Sequence, residues 1–437
     1  MNNSVKAIIA LLTIVIALSF LTLYQSPQTL TVDGTSVASV SEASTVWAKT
    51  YGGSADDRAF YALSIGDDSL IVGSTKSAGN TTMGWLLMLD AQGKILWNQT
   101  YLYGTGTELR YAAALSDGYL LVGNQFSSND INGYVAKVDT AGALVWQTVV
   151  GGEKIDKLFS GATVSDGFIV CGLSYSYGGS GEAAWALKLD TNGETVWNNI
   201  YVCGANCALR SIVASDGGVV AAGYSDTQFG NYDFTLLKIA SDGHLSWNKT
   251  YGDQNSEKAY SITSAPDGYV LVGDVTSIET NADAWVVRVD SDGILLWSRT
   301  IGGADFDSAT YVTATSNDQY LVTGFTFSFG EGNRDFWLFN INDDGQVGFC
   351  YTYGDSAFQE AYSVVESGNS QYTLFGWTDP LGQSDLVGKA TYDFYVVKLS
   401  APEGAGFSIL SIGGYVAILV MLILVLLLFF RMRKKQK

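Results

Sequence analysis

The chain of 437 residues has a single histidine, His244, and it lies in the turn Ser241-Asp242-Gly243-His244. A lone imidazole cannot build a His-rich zinc site, so any metal here would be a hard cation held by oxygen. Basic residues are scarce: all 43 acidic residues lie between Tyr24 and Phe407, a stretch with only 18 Lys and Arg and a formal charge of −25. So acidic a surface repels phosphate backbones and excludes nucleic acid as a partner. The four cysteines include no adjacent pair. Cys203 and Cys207 frame a five-residue loop, which favours a local disulfide, with free thiols as the alternative; Cys171 and Cys350 fall in strand positions as small core residues. Charged residues make up only 15% of the chain while 47% is apolar, with 25 Tyr, 20 Phe and 49 Gly. That mixture suits many short, half-buried strands joined by tight turns, and it excludes a disordered chain.

What the chain does have is a beat. Trp47, Trp97, Trp146, Trp197, Trp247, Trp297 and Phe349 recur at intervals of 49 to 52 residues. Gly73, Gly123, Gly172, Gly223, Gly273, Gly324 and Gly376 keep the same time. A period of this size marks an array of one copied supersecondary unit, none of which buries its apolar face alone.

In the fifth copy, Tyr260 to Thr263 alternates, Pro266-Asp267-Gly268 turns, Tyr269 to Val272 is an apolar strand, Ala284 to Asp290 a third and Ile294 to Thr300 a fourth. Four strands joined mainly by hairpins predict an antiparallel sheet, and seven such sheets hide their faces and edges best when packed radially. The expected fold is therefore an all-β, seven-bladed β-propeller of four-stranded blades over residues 46–400. Asp-x-x-Gly turns recur at Asp90/Gly93, Asp139/Gly142, Asp190/Gly193 and Asp290/Gly293, and a tryptophan follows each glycine by four residues. Its expected role is structural, an indole clamping one blade to the next. The seventh copy lacks its Trp-bearing strand, whereas Val46 to Tyr51 is such a strand with no predecessor. The spacing predicts that it pairs with Tyr392 to Leu399 and closes the ring.

Two apolar segments flank the repeats. Residues 404–430 carry no charge, and Ser408 to Phe430 is long enough to cross a bilayer as a helix. The basic tail 431–437 follows, which predicts a cytoplasmic C-terminus and an extracellular propeller on a cell membrane. Lys6 and the run Ala7 to Leu23 read as a signal peptide or an N-terminal anchor. Residues 24–45 read as a polar linker and 401–407 as a juxtamembrane one, too short to hold the propeller more than about 25 Å from the bilayer. Asn80, Asn98 and Asn248 stand in N-x-Thr sequons.

The run Trp47-Ala48-Lys49-Thr50-Tyr51-Gly52-Gly53, with Leu70-Ile71-Val72-Gly73 and Leu87-Met88-Leu89-Asp90, resembles a repeat of exported bacterial and archaeal β-propeller proteins. Asp-x-x-Gly-x-x-x-Trp is similar to the tryptophan-docking motif of quinoprotein-like propellers, with the turn one residue shorter. Quinoprotein dehydrogenases imply a calcium-bound quinone, a catalytic Asp and vicinal cysteines, and none of these maps onto this chain. No cofactor and no catalytic residue is therefore expected. Similar repeats also occur in proteins described as cellulase-like, but no defined acid pair carries that activity over.

Binding usually resides in irregular loops on a rigid scaffold, and here one face of the propeller collects them. Its aromatic residues Tyr175, Tyr177, Phe229, Phe327, Phe329 and Trp377 are the candidate ligand contacts, for a sugar or for a protein. Asp305, Asp307, Glu331, Asp335, Asp355 and Glu360 share that face. The leading expectation is a non-catalytic binding or adhesion protein for a polysaccharide or an envelope protein. A carbohydrate-active hydrolase and an envelope-assembly scaffold are the alternatives.

Overall fold

The computed structural model describes residues 28–79, 81–179, 181–226, 230–277, 281–368, 371–379 and 392–400, and every regular element in them is a β-strand. Among these residues no helix is long and apolar enough to cross a membrane. The apolar runs, the juxtamembrane linker, the basic tail, Asn80 and Phe229 lie outside the described residues.

Seven antiparallel sheets follow one another along the chain, at residues 57–101, 106–150, 156–201, 207–251, 256–302, 307–353 and 358–400. They are the blades of a propeller. Each begins with the innermost strand, from Asp57–Ile65 in blade one to Phe358–Glu366 in blade seven, and works outward. The apolar core is correspondingly divided, with separate clusters at six of the blade junctions among the described residues. Leu70, Leu86, Leu121 and Tyr134 fill the first junction, and Val220, Phe234, Leu271 and Val287 the fourth.

Four strands precede blade one: β1 (Thr29–Val32), β2 (Thr35–Ser39), β3 (Ser41–Glu42) and β4 (Ser44–Tyr51). β4 becomes the outermost strand of blade seven, pairing antiparallel with Asp393–Ser400 so that Tyr395 lies opposite Thr50 and Lys398 opposite Trp47. The ring is closed by this exchange, and blade seven gains its fourth strand from the far end of the repeat region.

β1 to β3 revise the expectation of a polar linker over residues 24–45. β1 and β2 form a hairpin laid along the outer edge of blade five, with Thr31 opposite Gly302 and Val32 opposite Ile301. β3 runs parallel to the outer strand of blade six, Ser41 opposite Tyr351. Leu30 is fully buried in the cluster between these blades, and the backbone N–H of Asp33 donates to Thr300 O at 2.8 Å. The physical signal is Leu30-Thr31-Val32-Asp33-Gly34-Thr35-Ser36-Val37, alternation broken by Asp-Gly, which is a strong short-range hairpin cue. Gly34 takes φ +74° and Asp33 φ +49°, as a primed turn requires.

Two clamps join successive blades at the rim. The indole of Trp47 packs on Gly93 of the next blade, and Trp97, Trp146, Trp197, Trp247 and Trp297 pack in the same way on Gly142, Gly193, Gly243, Gly293 and Gly345. Side chains beyond hydrogen do not fit there: a methyl on Gly193 would lie 2.6 Å from the Trp146 ring. Trp47, Trp146, Trp197 and Trp297 also donate Nε1–H to a carbonyl of that same turn, at 2.7 to 3.2 Å. The second clamp is a tyrosine four residues on. Tyr51, Tyr101, Tyr201 and Tyr251 each donate a hydroxyl hydrogen bond to the carbonyl of the docked glycine, at 2.6 to 2.8 Å. Within the turn, Asp90 Oδ1 accepts from the N–H groups of Gln92 and Lys94, and the aspartates 139, 190 and 290 repeat the pattern.

Candidate functional site

The innermost strands carry a β-bulge in six blades, where the register slips between Ala59/Tyr61, Leu158/Ser160, Leu209/Ser211, Ala259/Ser261, Ala309/Tyr311 and Ala361/Ser363. A bulge sets two consecutive residues against one partner and re-aims their side chains. Successive residues therefore both face the axis of the propeller, and they build two rings around a chamber of about 470 Å³.

The first ring is Phe60, Arg110, Phe159, Arg210, Tyr260, Thr310 and Tyr362, and the second includes Tyr61, Tyr111, Ser160, Ser211, Ser261 and Tyr311. In the second ring the three tyrosines reach across the axis. The Tyr61 ring lies 4.7 Å from Tyr111 of blade two and 5.8 Å from Tyr311 of blade six, forming an aromatic plug. Burial, then the neighbouring Tyr311 and Tyr111, push the Tyr61 hydroxyl well above its ordinary range, so these groups stay neutral.

Cations line this chamber in an otherwise acidic molecule. Arg110 stacks 3.9 Å from the centre of Phe60 and pairs with Glu108 at 2.6 Å. Arg334 stacks 4.4 Å from Phe325 and pairs with Glu360 at 2.6 Å. Arg210 stacks 4.0 Å from Phe159 and lies 5.9 Å from Tyr260, but no carboxylate of the described residues comes within ion-pair distance. The difference is legible in the copies: Glu108 stands two residues before Arg110, and its equivalent before Arg210 is Ala208. Burial and then the charge of Arg110, with Tyr224 opposing, depress the Arg210 guanidinium. Lys157 is depressed first by burial and then by Arg110, Glu108 opposing.

Two carboxyls share the wall. Asp274 is pushed up to about 6 by burial, against hydrogen bonds from Tyr260 at 3.0 Å and Ser308 at 3.3 Å. Glu360 is raised by burial, with Arg334 opposing.

Backbone bonds from Lys76 N–H to Asp56 O, Tyr175 N–H to Ile155 O and Asp226 N–H to Asn206 O tie the chain at the end of the second strand of blades one, three and four to the connection entering that blade. The candidate aromatics are not gathered into one site. Phe329 is 4% exposed and packs in the core against Trp337; Trp377 is 8% exposed, edge-on to Tyr392 at 4.7 Å. Tyr177 is 45% exposed, its hydroxyl donating to Gly151 O. Tyr175 donates to Glu182 and lines a smaller groove with Lys154 and Lys157. Phe327 alone among the described candidates adjoins the chamber, stacked on Phe306 at 6.0 Å beside Arg334. Of the acids, Glu360 lines the chamber and Asp307 is buried within a blade junction. Sequence reading passed over the rings themselves, because a strict two-residue alternation puts only one of each pair on the axis.

Cys203 and Cys207 are disulfide-bonded with Cα atoms 5.9 Å apart, while Cys171 and Cys350 are buried thiols. No group of three or more His, Cys, Asp or Glu side chains converges among the described residues.

Fold and site define a seven-bladed propeller with an arginine- and aromatic-lined axial chamber. No family model and no curated protein matches the chain. Solved structures match in fold. One is a protein of unknown function from Bacteroides caccae, at 14% identity over 65% of this chain and 91% of that one, with a TM-score of 0.40. Sqt1 of Chaetomium thermophilum bound to the N-terminus of ribosomal protein L10 is similar at 11% identity over 82% and 100%, with a TM-score of 0.44. Puromycin hydrolase is similar at 15% identity over 77% of this chain and 53% of that one, with a TM-score of 0.48. Likeness at this level marks architecture and transfers no activity.

Proposed function

We propose that this protein is a membrane-anchored, outward-facing propeller that binds a ligand without transforming it, and that the ligand presents a carboxylate to the axial chamber. An acidic polysaccharide is the class favoured. The anchoring rests on the apolar run 408–430 and its basic flank, and on the resemblance of the repeats to those of exported propellers.

The observation that carries the ligand reading is Arg210. Phe159 and Tyr260 flank its guanidinium and hold it in place, leaving N–H donors unpaired among the described residues. A planar fork fixed in this way accepts a carboxylate through two parallel hydrogen bonds, and the low dielectric of the chamber strengthens them. A uronic acid supplies that carboxylate together with a ring that has both polar edges and apolar faces. Ser211, Thr310 and the aromatic rings of the wall offer the complementary mixture.

Titration of the full chain in detergent with oligogalacturonate, a neutral oligosaccharide of the same length and an acidic peptide tests this reading. Saturable binding of the uronate alone, weakened tenfold or more in Arg210→Met, with no release of reducing ends, is the expected result. Equal binding of the neutral sugar, or an indifferent Arg210→Met, defeats it. Preference for the peptide favours the scaffold reading.

A hydrolase on the same site is the second reading. It is favoured by Asp274, a wall carboxyl held near 6 as a general acid would be. Reducing ends released by the native chain and abolished in Asp274→Asn would establish it.

A further inference from the structure

Two blade junctions contain a feature that neither the apolar core nor the chamber uses. Between blades four and five, Asp233 faces Glu257, which is 2% exposed. Asp233 Oδ1 and Glu257 Oε2 have no hydrogen-bond partner, and no Lys or Arg of the described residues lies within ion-pair distance. A methyl built on Gly252 would lie 2.4 Å from the first oxygen and 2.6 Å from the second. The two oxygens are thus at most about 5 Å apart, a gap that an ion with 2.3–2.6 Å bonds to oxygen spans.

Between blades six and seven the pair is Asp335 Oδ1 and Gln359 Oε1, both without a partner, on residues 0% and 1% exposed. Here the amide is informative. A simple hydrogen bond would turn the Gln359 NH₂ toward Asp335, but that group donates instead to Asp355 Oδ1 at 2.6 Å, and the amide oxygen faces the carboxylate. Between blades seven and one the geometry differs: beside Gly52, Asp393 Oδ1 faces Asp57 Oδ2, which already accepts from Gly53 N–H at 2.8 Å and Ser77 Oγ at 2.7 Å.

In two other junctions the inner carboxylate takes donors from its own blade, although Asn132 Oδ1 and Asp283 Oδ1 still face it beside Gly151 and Gly302. Asp307 accepts from Gly303 N–H, Ser328 Oγ and Thr326 Oγ1, and Asp156 accepts from Gly152 N–H, Ser174 and Ser176. Buried oxygen set against buried oxygen is costly unless a cation or a shared proton lies between, and Glu257, pushed up to about 8 by burial and then by Asp253 and Asp233, can hold that proton when no cation is bound.

We propose that the junctions at Asp233/Glu257 and Asp335/Gln359 are hard-cation sites, with Ca²⁺ the fitting ion, each clipping one blade to the next. Two side-chain oxygens come from two different blades, and water completes the shell beneath exposed turns such as Gly252-Asp253. With so few protein ligands the affinity falls in the range of about 10⁻⁴ to 10⁻³ M, that of weak extracellular calcium modules. An ion bound only by the folded ring raises its stability by mass action.

The test is thermal unfolding of the full chain in detergent, followed by tryptophan fluorescence after chelation, then with CaCl₂, MgCl₂ or NaCl at matched ionic strength. Calcium at about 10 mM is expected to raise the midpoint by about 5 °C beyond either comparator. The double variant Asp233→Asn/Asp335→Asn loses at least half of that gain, while the exposed Asp216→Asn keeps it. Equal shifts with all three salts mean screening of an acidic surface only, and overturn the proposal. Should the double variant not fold, Tb³⁺ luminescence on the native chain decides: saturable, calcium-displaced binding supports the sites, and none overturns them.

Discussion

The outermost and innermost strands occupy equivalent places in every blade, yet their side chains obey opposite rules. At the rim six tryptophans perform one act, docking on the glycine of the next blade, so the residue hardly changes from copy to copy. At the axis the equivalent position is Phe, Arg, Phe, Arg, Tyr, Thr and Tyr in turn. Each rim site is a separate joint between two neighbours, whereas the axial residues enclose one shared space to which each contributes a different group. Uniformity marks the frame and variety marks the chemistry. Arg110 and Arg210 make the point most sharply, since one neighbouring position, Glu108 against Ala208, decides which arginine is already paired.

That contrast breaks most visibly at the rim. Trp197→Ala removes a packed indole and its bond to Ser241 O, and costs about 3 kcal/mol in chemical unfolding. Trp97→Ala should match it within about 1 kcal/mol, and neither should alter uronate binding. A large difference between the two would show that the rim is not uniform.

Asp274→Asn sharpens the contrast from the axis. The folded carboxyl sits near 6, raised by burial above its ordinary 3.8, so the neutral form is favoured in the folded chain. Its contribution is fully present below about pH 4 and is lost as pH rises through about 6. The amide stays neutral throughout, so the variant should gain about 2 kcal/mol on the native chain between pH 4 and pH 7.5. A stability difference flat across that window would contradict the assignment.

Arg210→Met is next in size and should separate the two regions fully. Uronate affinity falls tenfold or more, about 1.4 kcal/mol, while the midpoint stays level or rises because a buried, unpaired cation is gone. The smallest effect is Tyr251→Phe, which deletes one hydroxyl bond to Gly293 O and costs about 1 kcal/mol.

The frame was legible in the sequence because its signals are local and repeated. Trp followed by a strand, Asp-x-x-Gly turns and two-residue alternation all lie within one copy. The closing strand could be read too, since a missing seventh tryptophan and a spare first one are matters of counting. The tyrosine clamp was present as Trp-x-x-x-Tyr in four copies but carries no meaning until the partner glycine is seen across the junction. The chamber was less accessible for two reasons. A bulge changes the parity of a strand at one residue, so Tyr260 and Ser261 both line the axis where alternation separates them. The rings also join residues some 50 positions apart, and Tyr61 meets Tyr311 only after four intervening blades have formed. Aromatic residues in loops, conversely, were a misleading cue: Phe329 and Trp377 are buried because loops need apolar anchors of their own.

The closing ladder also governs how the ring responds to tension. Ser44 lies opposite Ser400, so both strands leave the final rung at the same end. A pull between those two residues would peel hydrogen bonds one at a time rather than load them together. The stitches of β1 and β3 on blades five and six lie upstream of that rung, and traction arriving from the N-terminal side meets them first.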